Sequence, residues 1–109
     1  MGRDTDIARA MTALSHPRRV RLFTALEAAG PKGLVFPELK CVAKLSDTTL
    51  RHHLCPMQAA GLIVRRREGR HIRFRLDGQA ARRAIDEMSE RLARVKPAGR
   101  AFAQRPPLN

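Results

Sequence analysis

The sequence concentrates arginine in one short segment, a pattern that favours binding to a polyanion. Six arginines fall between Arg65 and Arg75, against the single acid Glu68, and the whole chain carries a formal net charge of +12. A guanidinium presents a planar fork of N–H donors that suits phosphates and the edge of guanine. We therefore expect a nucleic acid as partner. The expected contacts in this segment are Arg65, Arg66, Arg67, Arg70, His71 and Arg73.

Cys41 and Cys55 are the only two thiols, and two interpretations stay open for them. Cationic neighbours of Cys55 would favour its thiolate, which suits a redox or persulfide switch. The alternative, which we favour, is that both are small, partly buried side chains. A tetrahedral thiolate metal site needs three or four ligands, so we expect no metal. A site completed by His52 or His53 is the less favoured possibility.

Several classes of protein are disfavoured by what the sequence lacks. No apolar run approaches 18 residues, and acids interrupt the N-terminal segment, so we expect neither a membrane span nor a secretory signal but a cytoplasmic protein. The absence of Trp and Tyr argues against a stacking platform for single strands. No catalytic triad or phosphate-binding glycine loop is recognisable, so we expect no enzyme and no cofactor. A basic RNA-binding or structural protein remains an alternative.

The 109 residues suffice for one domain, predicted over residues 1–96, with a flexible Pro-rich tail over 97–109. Helical spacing predicts a first helix over residues 4–14. Ser15 is the expected N-cap of a second helix, which Gly30 ends. The expected buried stripe of that second helix consists of Val20, Leu22, Phe23 and Leu26.

Two short helices joined by a tight turn predict a helix-turn-helix. After an extended segment at 34–36, the first of them covers residues 37–45, with Leu39 and Val42 facing inward. The second begins at Ser46 or Asp47, and its buried face is predicted to hold Leu50, Leu54 and Met57. Its opposite face would meet DNA through Ser46, Asp47, Thr48, Thr49, Arg51 and His52. Pro56 predicts a kink or break near Leu54.

The C-terminal half predicts a β-hairpin followed by a helix. Residues 62–64 and the alternating segment 71–76 form the strands, and Gly69 supplies the turn. Asp77 is expected to cap a last helix that reaches Lys96. The first and last helices would form a dimer interface through Ile7, Met11, Ile85, Met88, Leu92 and Val95. The order α-α-(β)-α-α-β-β-α predicts a mostly α, α+β winged helix-turn-helix.

Three stretches resemble the ArsR/SmtB (arsenic-repressor) family of small bacterial regulators. They are residues 13–26, with an A-L-x-x-P-x-R signature, residues 37–63, with the T-L-x-x-H-L and A-G-L-I segments, and residues 67–76. The resemblance implies a homodimeric transcriptional regulator, usually a repressor, which binds double-stranded DNA at an inverted-repeat operator. The effector is not implied by these residues.

The family's metal sites are not matched by this chain. Its C-V-C pattern in the third helix is replaced by Lys40-Cys41-Val42. Its second site uses Asp, His and Glu on the last helix, whereas this helix offers Asp86, Glu87 and Glu90 and no His. The family's usual His before the second leucine of T-L-x-x-H-L is His53, for which we expect a buried, hydrogen-bonded, structural role.

Overall fold

Five helices and a small sheet follow one another in the predicted order. The computed structural model describes residues 2–99. Its elements are α1 (Arg3–Ala13), α2 (Pro17–Ala29), a 3-10 turn (Gly30–Lys32), β1 (Leu34–Val35), α3 (Phe36–Ala43), α4 (Asp47–Ala59), β2 (Ile63–Glu68), β3 (His71–Leu76) and α5 (Gln79–Ala93). This arrangement confirms the mostly α, α+β winged helix-turn-helix. None of the described helices is long and apolar enough to span a membrane.

The three antiparallel strands are ordered β1-β3-β2, so the hairpin is joined to the helical part through β1. Leu34 pairs with Phe74, and the hairpin register runs from Ile63 opposite Leu76 to Glu68 opposite His71. Gly69 and Arg70 therefore form a two-residue turn, with Gly69 at a φ of +61°. The hairpin is longer than predicted, because arginines 65–67 continue β2 and do not form a loop.

The core joins the helix-turn-helix to the base of the hairpin. Its large, fully buried side chains are Leu22, Leu26, Leu39, Leu50, Met57 and Ile63. Two apolar residues predicted to face inward, Val20 and Val42, are exposed. On α2, Val20 lies about 200° around the helix from Leu22. The eight-residue α3 buries only Leu39 against the core, and Val42 lies outside that contact between α3 and the core.

Two predicted helix caps are wrong and one is confirmed. The His16 Nδ1 atom accepts the bond from the Arg18 amide, so His16 caps α2, while the Ser15 hydroxyl donates to the Thr12 carbonyl at the end of α1. Asp77 does not cap α5; Gly78 holds the N-cap position, and the Asp77 amide donates to the Leu62 carbonyl. Ser46 caps α4 by accepting from the Thr49 amide.

Three predicted boundaries also change. Phe36 belongs to α3 because the Glu38 carboxylate accepts a hydrogen bond from the Val35 amide and starts the helix one residue early. Helix α4 continues through Pro56, where a break is predicted. A proline removes only one backbone hydrogen bond there, and the burial of Met57 holds the following turn. Helix α5 ends at Ala93, short of Lys96.

Residues 97–99, at the start of the predicted tail, carry no helix or strand. Residues 100–109 lie outside the described part of the chain. The domain boundary at residue 96 therefore stays a prediction.

Gly33 holds the 3-10 turn against β3, and its replacement tests that contact. A Cβ on Gly33 would lie 2.0 Å from the Phe74 carbonyl oxygen, and the residue has a φ of +66°. We expect Gly33→Ala to reduce the free energy of unfolding by about 3–5 kcal/mol, since backbone strain and overlap add. Urea denaturation followed by circular dichroism measures this change.

Gly69→Ala is the matched control. Gly69 has a similar φ of +61°, but a Cβ there would meet nothing within 4 Å. Its replacement should cost only the backbone strain, about 1–2 kcal/mol. Equal losses in the two variants would show that the approach of Gly33 to β3 does not stabilise the fold.

Candidate nucleic-acid interface

Helix α4 presents a polar surface on the side opposite its buried residues. Leu50, Leu54 and Met57 face the core, and Ser46, Asp47, Thr48, Arg51 and His52 are all exposed. Thr49 differs from the other predicted contacts because it is half-buried and its hydroxyl accepts a hydrogen bond from the Ser46 hydroxyl. Through this hydrogen bond, and the bond from its amide to the Ser46 hydroxyl, Thr49 stabilises the N-terminus of α4.

Asp47 carries a charge that a cation in the preceding helix offsets. The Lys40 ammonium lies 2.8 Å from the Asp47 carboxylate. This hydrogen bond lowers the pKa of Asp47, and the positive charges of Lys40 and Arg51 act in the same direction. The carboxylate therefore stays ionised at neutral pH, and its pairing with Lys40 limits its repulsion of a nearby phosphate.

A groove separates α4 from the hairpin, and its walls are strongly cationic. We call it the α4–hairpin groove. It has a volume of about 520 Å³ and is lined by Arg51, Cys55 and Gln58 from α4 and by Arg65, Arg67, Arg70 and His71 from the hairpin. Phe36 forms part of its floor, and the Arg51 guanidinium lies over that ring at 5.1 Å. This cation–π contact restrains the Arg51 side chain beside the groove.

The strand register divides the hairpin arginines between the two faces of the hairpin. Arg65 and Arg67 pair with Phe74 and Ile72 and lie on the groove side. Arg66 pairs with Arg73, so both lie on the opposite side. Only the first face therefore shares the groove with α4.

Arg73 is already engaged within the subunit. Its guanidinium forms an ion pair with Glu68 at 2.9 Å and donates a second hydrogen bond to the Lys32 carbonyl. These contacts connect the hairpin to the 3-10 turn. Of the six predicted hairpin contacts, Arg73 is therefore the one with a defined structural role.

His53 is buried behind the polar surface of α4. This confirms the buried, hydrogen-bonded, structural role predicted for it. Its side chain is 4% exposed, and its Nδ1 atom accepts a hydrogen bond from the Arg19 Nε atom at 3.2 Å. Arg19 also donates to the Thr12 carbonyl, so this pair joins α4 to α2 and to the end of α1. The His16 ring stacks at a tilt on the His53 ring at 4.7 Å.

The buried position of His53 predicts that the protein loses stability in acid. Burial lowers the pKa of His53, and the charges of His16, Arg19, His52 and Arg18 lower it further. The unfolded chain therefore binds this proton more readily, so the stability from His53 is complete above about pH 6.5 and is lost as the pH falls through the folded-state pKa. We expect the free energy of unfolding to fall as the pH is lowered below about 6.5.

The variant His53→Gln should flatten this dependence, because it removes the group that titrates. Urea denaturation at several pH values measures it. His71→Gln is the control, since His71 is exposed at the hairpin turn. An unchanged pH dependence in His53→Gln would contradict the assignment.

Both thiols are exposed, which contradicts the expectation that they are partly buried. Cys41 lies on the outer side of α3, and Cys55 lines the α4–hairpin groove because it faces away from the buried stripe of α4. Neither is in a disulfide. Among residues 2–99 there is no group of three or more His, Cys, Asp or Glu side chains that could hold a metal ion.

Helices α1 and α5 pack together in opposite directions, and apolar side chains stay in solvent at both ends of the pair. Leu92 is 71% exposed, Val95 65% and Met11 42%. Ile85 and Met88 are half-buried against the core. Ile7 is predicted at a dimer interface, but it is buried within the subunit because α5 covers it.

Sequence analysis missed Phe36 and Gln58 among the groove residues. Phe36 is predicted in the extended segment, and only the pairing of β1 with β3 brings it beneath Arg51. Gln58 lies beyond Pro56, where the expected break prevented any placement. The continuous helix puts it two turns after Arg51 on the same side.

A capped second helix with a polar outer face, followed by an arginine-rich hairpin, defines a winged helix-turn-helix protein of the DNA-binding type. No protein-family model matches this chain. Among curated proteins, the HTH-type transcriptional regulator CmtR of Mycobacterium bovis and of Mycobacterium tuberculosis is 31% identical over 87 residues. The match covers 79% of this chain and 70% of the relative.

Solved structures give the same fold. An ArsR family transcriptional regulator, RHA00566, superposes with a TM-score of 0.67 at 18% identity, over 86% of this chain and 96% of the other. The homodimeric winged helix-turn-helix domain of Mb0332 from Mycobacterium bovis gives a TM-score of 0.63 at 23% identity, over 87% of this chain and 89% of the other. The chain belongs to the ArsR/SmtB family of transcriptional regulators. The redox and RNA-binding alternatives are not favoured.

Proposed function

We propose that the chain is a homodimeric repressor that binds an inverted-repeat operator in double-stranded DNA. The observation that carries the proposal is the α4–hairpin groove, where Arg51 of the recognition helix faces Arg65, Arg67 and Arg70 of the hairpin. A helix of this kind enters the major groove, and a cationic hairpin beside it can follow the adjacent phosphates. No catalytic step is assigned to any residue.

The hairpin and helix α4 contribute different kinds of contact with DNA. Phosphate contacts from the hairpin give affinity and strong salt dependence but carry little sequence information. Base contacts fall to the exposed start of α4, where Thr48, Arg51 and His52 are in reach of a groove floor. Because Asp47 is paired with Lys40, the start of α4 does not present an unbalanced negative charge.

Dimerisation is supported by the exposed Leu92, Val95 and Met11, which are costly to leave in water. The Mb0332 domain with the same fold is homodimeric. A twofold axis would present two recognition helices to half-sites about one helical turn apart, which explains an inverted repeat. Repression follows when such a dimer covers a promoter.

Selection from random-sequence DNA duplexes tests this function, because the operator sequence emerges from the experiment itself. The proposal predicts recovery of an inverted repeat, bound more tightly than random duplex or structured RNA in gel-shift competition. Equal affinity for structured RNA, or failure to enrich any sequence, would contradict it.

Arg51→Ala tests base recognition by α4. We expect the preference for the selected operator over random duplex to fall by about 5- to 150-fold, which corresponds to the loss of one bidentate contact with a base. Competition gel shifts with the two duplexes measure the ratio. Arg83→Ala, which removes an exposed arginine of α5, is the control and should leave the ratio unchanged. An unchanged ratio in Arg51→Ala would remove Arg51 from base recognition.

A further inference from the structure

A second groove, far less polar than the first, lies between α2, α5 and the base of the hairpin. We call it the α2–α5 groove. It has a volume of about 510 Å³ and is walled by Leu14, Phe23, Leu62, Leu76 and Ile85, with Arg82 at its rim. Of the five wall residues only Leu62 is buried, and the half-buried others present apolar surface to solvent. Concave apolar sites of 300–1,000 Å³ are typical of small-molecule binding.

We propose that the α2–α5 groove binds a small amphiphilic carboxylate. The wall offers one aromatic and four aliphatic side chains for an apolar body. Arg82 supplies the single charge complement to an anionic head group. Its present partner, Asp86, is 3.7 Å away, and both side chains are largely exposed. Such a pair contributes little free energy, so the guanidinium can turn to a ligand at small cost.

A second copy of the chain fits this groove less well than a small molecule. Of the exposed apolar residues that would pair two subunits, Leu92 and Val95 lie further along α5, and Met11 does not line this groove. Seven residues separate Ile85 from Leu92, or about 10 Å along a helix. The α2–α5 groove is also concave, whereas the end of α5 offers protruding side chains.

The α2–α5 groove adjoins the α4–hairpin groove but shares no residue with it. Leu76 pairs with Ile63 at the base of the hairpin, and Leu62 directly precedes that pair. None of the wall residues lines the α4–hairpin groove. Binding can therefore be measured without DNA, and the outcome is independent of the proposed repressor function.

A tryptophan placed in the wall reports occupation of the groove. The chain has no Trp or Tyr, so Phe23→Trp introduces the only indole and keeps the wall aromatic. Circular dichroism must first show unchanged folding. Titration with decanoate below its micelle concentration should give a saturable shift of the emission to shorter wavelength. Octanoate and hexanoate should bind more weakly, by at most about fourfold for each CH₂ removed. Calorimetry of the unaltered protein with decanoate provides the same measurement without the substitution.

Arg82→Gln and Arg83→Gln form a matched pair for the head group. Both remove one exposed arginine of α5, but Arg83 lies outside the α2–α5 groove. We expect Arg82→Gln to raise the dissociation constant of decanoate by about two- to fivefold, and Arg83→Gln to leave it unchanged. Binding of 1-decanol should not respond to either. These results together would support the site.

Three results would overturn the proposal. The first is the absence of saturable decanoate binding in both the fluorescence and the calorimetric titrations. The second is an equal loss in Arg82→Gln and Arg83→Gln, which would indicate general attraction to a basic protein. The third is an emission that changes with protein concentration and not with decanoate, which would show that a second copy occupies the groove.

Discussion

Replacing Arg67 and Arg70 together with Ala should lower the affinity for duplex DNA by about two orders of magnitude at low salt. Both residues line the α4–hairpin groove, and a charge-assisted contact with a phosphate is worth about 1.5 kcal/mol or more. The loss should be similar for operator and random duplex, because phosphates carry no sequence. The dependence of log K on log salt should flatten by about two units.

The control for this variant is the double substitution Arg82→Ala and Arg83→Ala. It removes the same charge from exposed positions on α5, away from the α4–hairpin groove. Fluorescence anisotropy with labelled duplex at four salt concentrations gives both slopes. Two results would show that the hairpin is not the phosphate-binding element. One is a salt dependence in the Arg67 and Arg70 double variant that equals that of the wild type, and the other is an equal change of the salt dependence in the control.

The pairing of the hairpin strands adds a distinction that arginine content alone does not contain. Arg66 and Arg75 lie on the face opposite the α4–hairpin groove. Replacing both Arg66 and Arg75 with Ala should therefore flatten the dependence of log K on log salt less than replacing both Arg67 and Arg70 does. Equal effects would indicate that DNA contacts both faces of the hairpin.

Leu92→Asp should convert the protein to monomers and lower operator affinity by about two to three orders of magnitude. Leu92 is 71% exposed in the single subunit, so an acid there is harmless to the isolated fold but unfavourable at an apolar interface. A linked pair of half-sites gains its avidity from the second, intramolecular contact, and a monomer loses that gain. Sedimentation equilibrium and gel shifts measure the two effects.

Val20→Asp is the matched control for this substitution. It adds the same charge at another exposed aliphatic residue, on α2. It should leave the dimer intact. A dimer that survives in Leu92→Asp would remove the end of α5 from the interface, and loss of the dimer in both variants would point to a general charge effect.

Periodicity and capping chemistry predict most of this fold. The alternation of Ile72, Phe74 and Leu76 with polar residues specifies a half-buried strand, and the spacing of Leu50, Leu54 and Met57 specifies the buried face of α4. The apolar residues recur with the period of the helix or strand itself, so each pattern can be recognised from the residues of that one element. Leu92 and Val95 fit the same seam as Ile85, yet only the packed structure shows which of them the subunit itself covers.

Features that depend on contacts between elements were not predictable. Val20 and Val42 match a helical stripe but lie where no other element packs. The division of the hairpin arginines into two faces depends on where β2 begins, and a shift of one residue would exchange Arg66 with Arg67. The contact of Arg51 with Phe36 requires β1 to pair with β3, which joins residues about forty positions apart.

Mapping of backbone amide shifts by NMR is the most direct test of the central claim, since it uses the unaltered protein. The probe is the duplex recovered from random-sequence selection, added to isotopically labelled protein. We expect the largest changes at residues 47–52 of α4 and 65–71 of the hairpin, with residues 88–93 of α5 little affected. Changes concentrated on α2 or α5, with none in the hairpin, would contradict the assignment of the α4–hairpin groove to DNA.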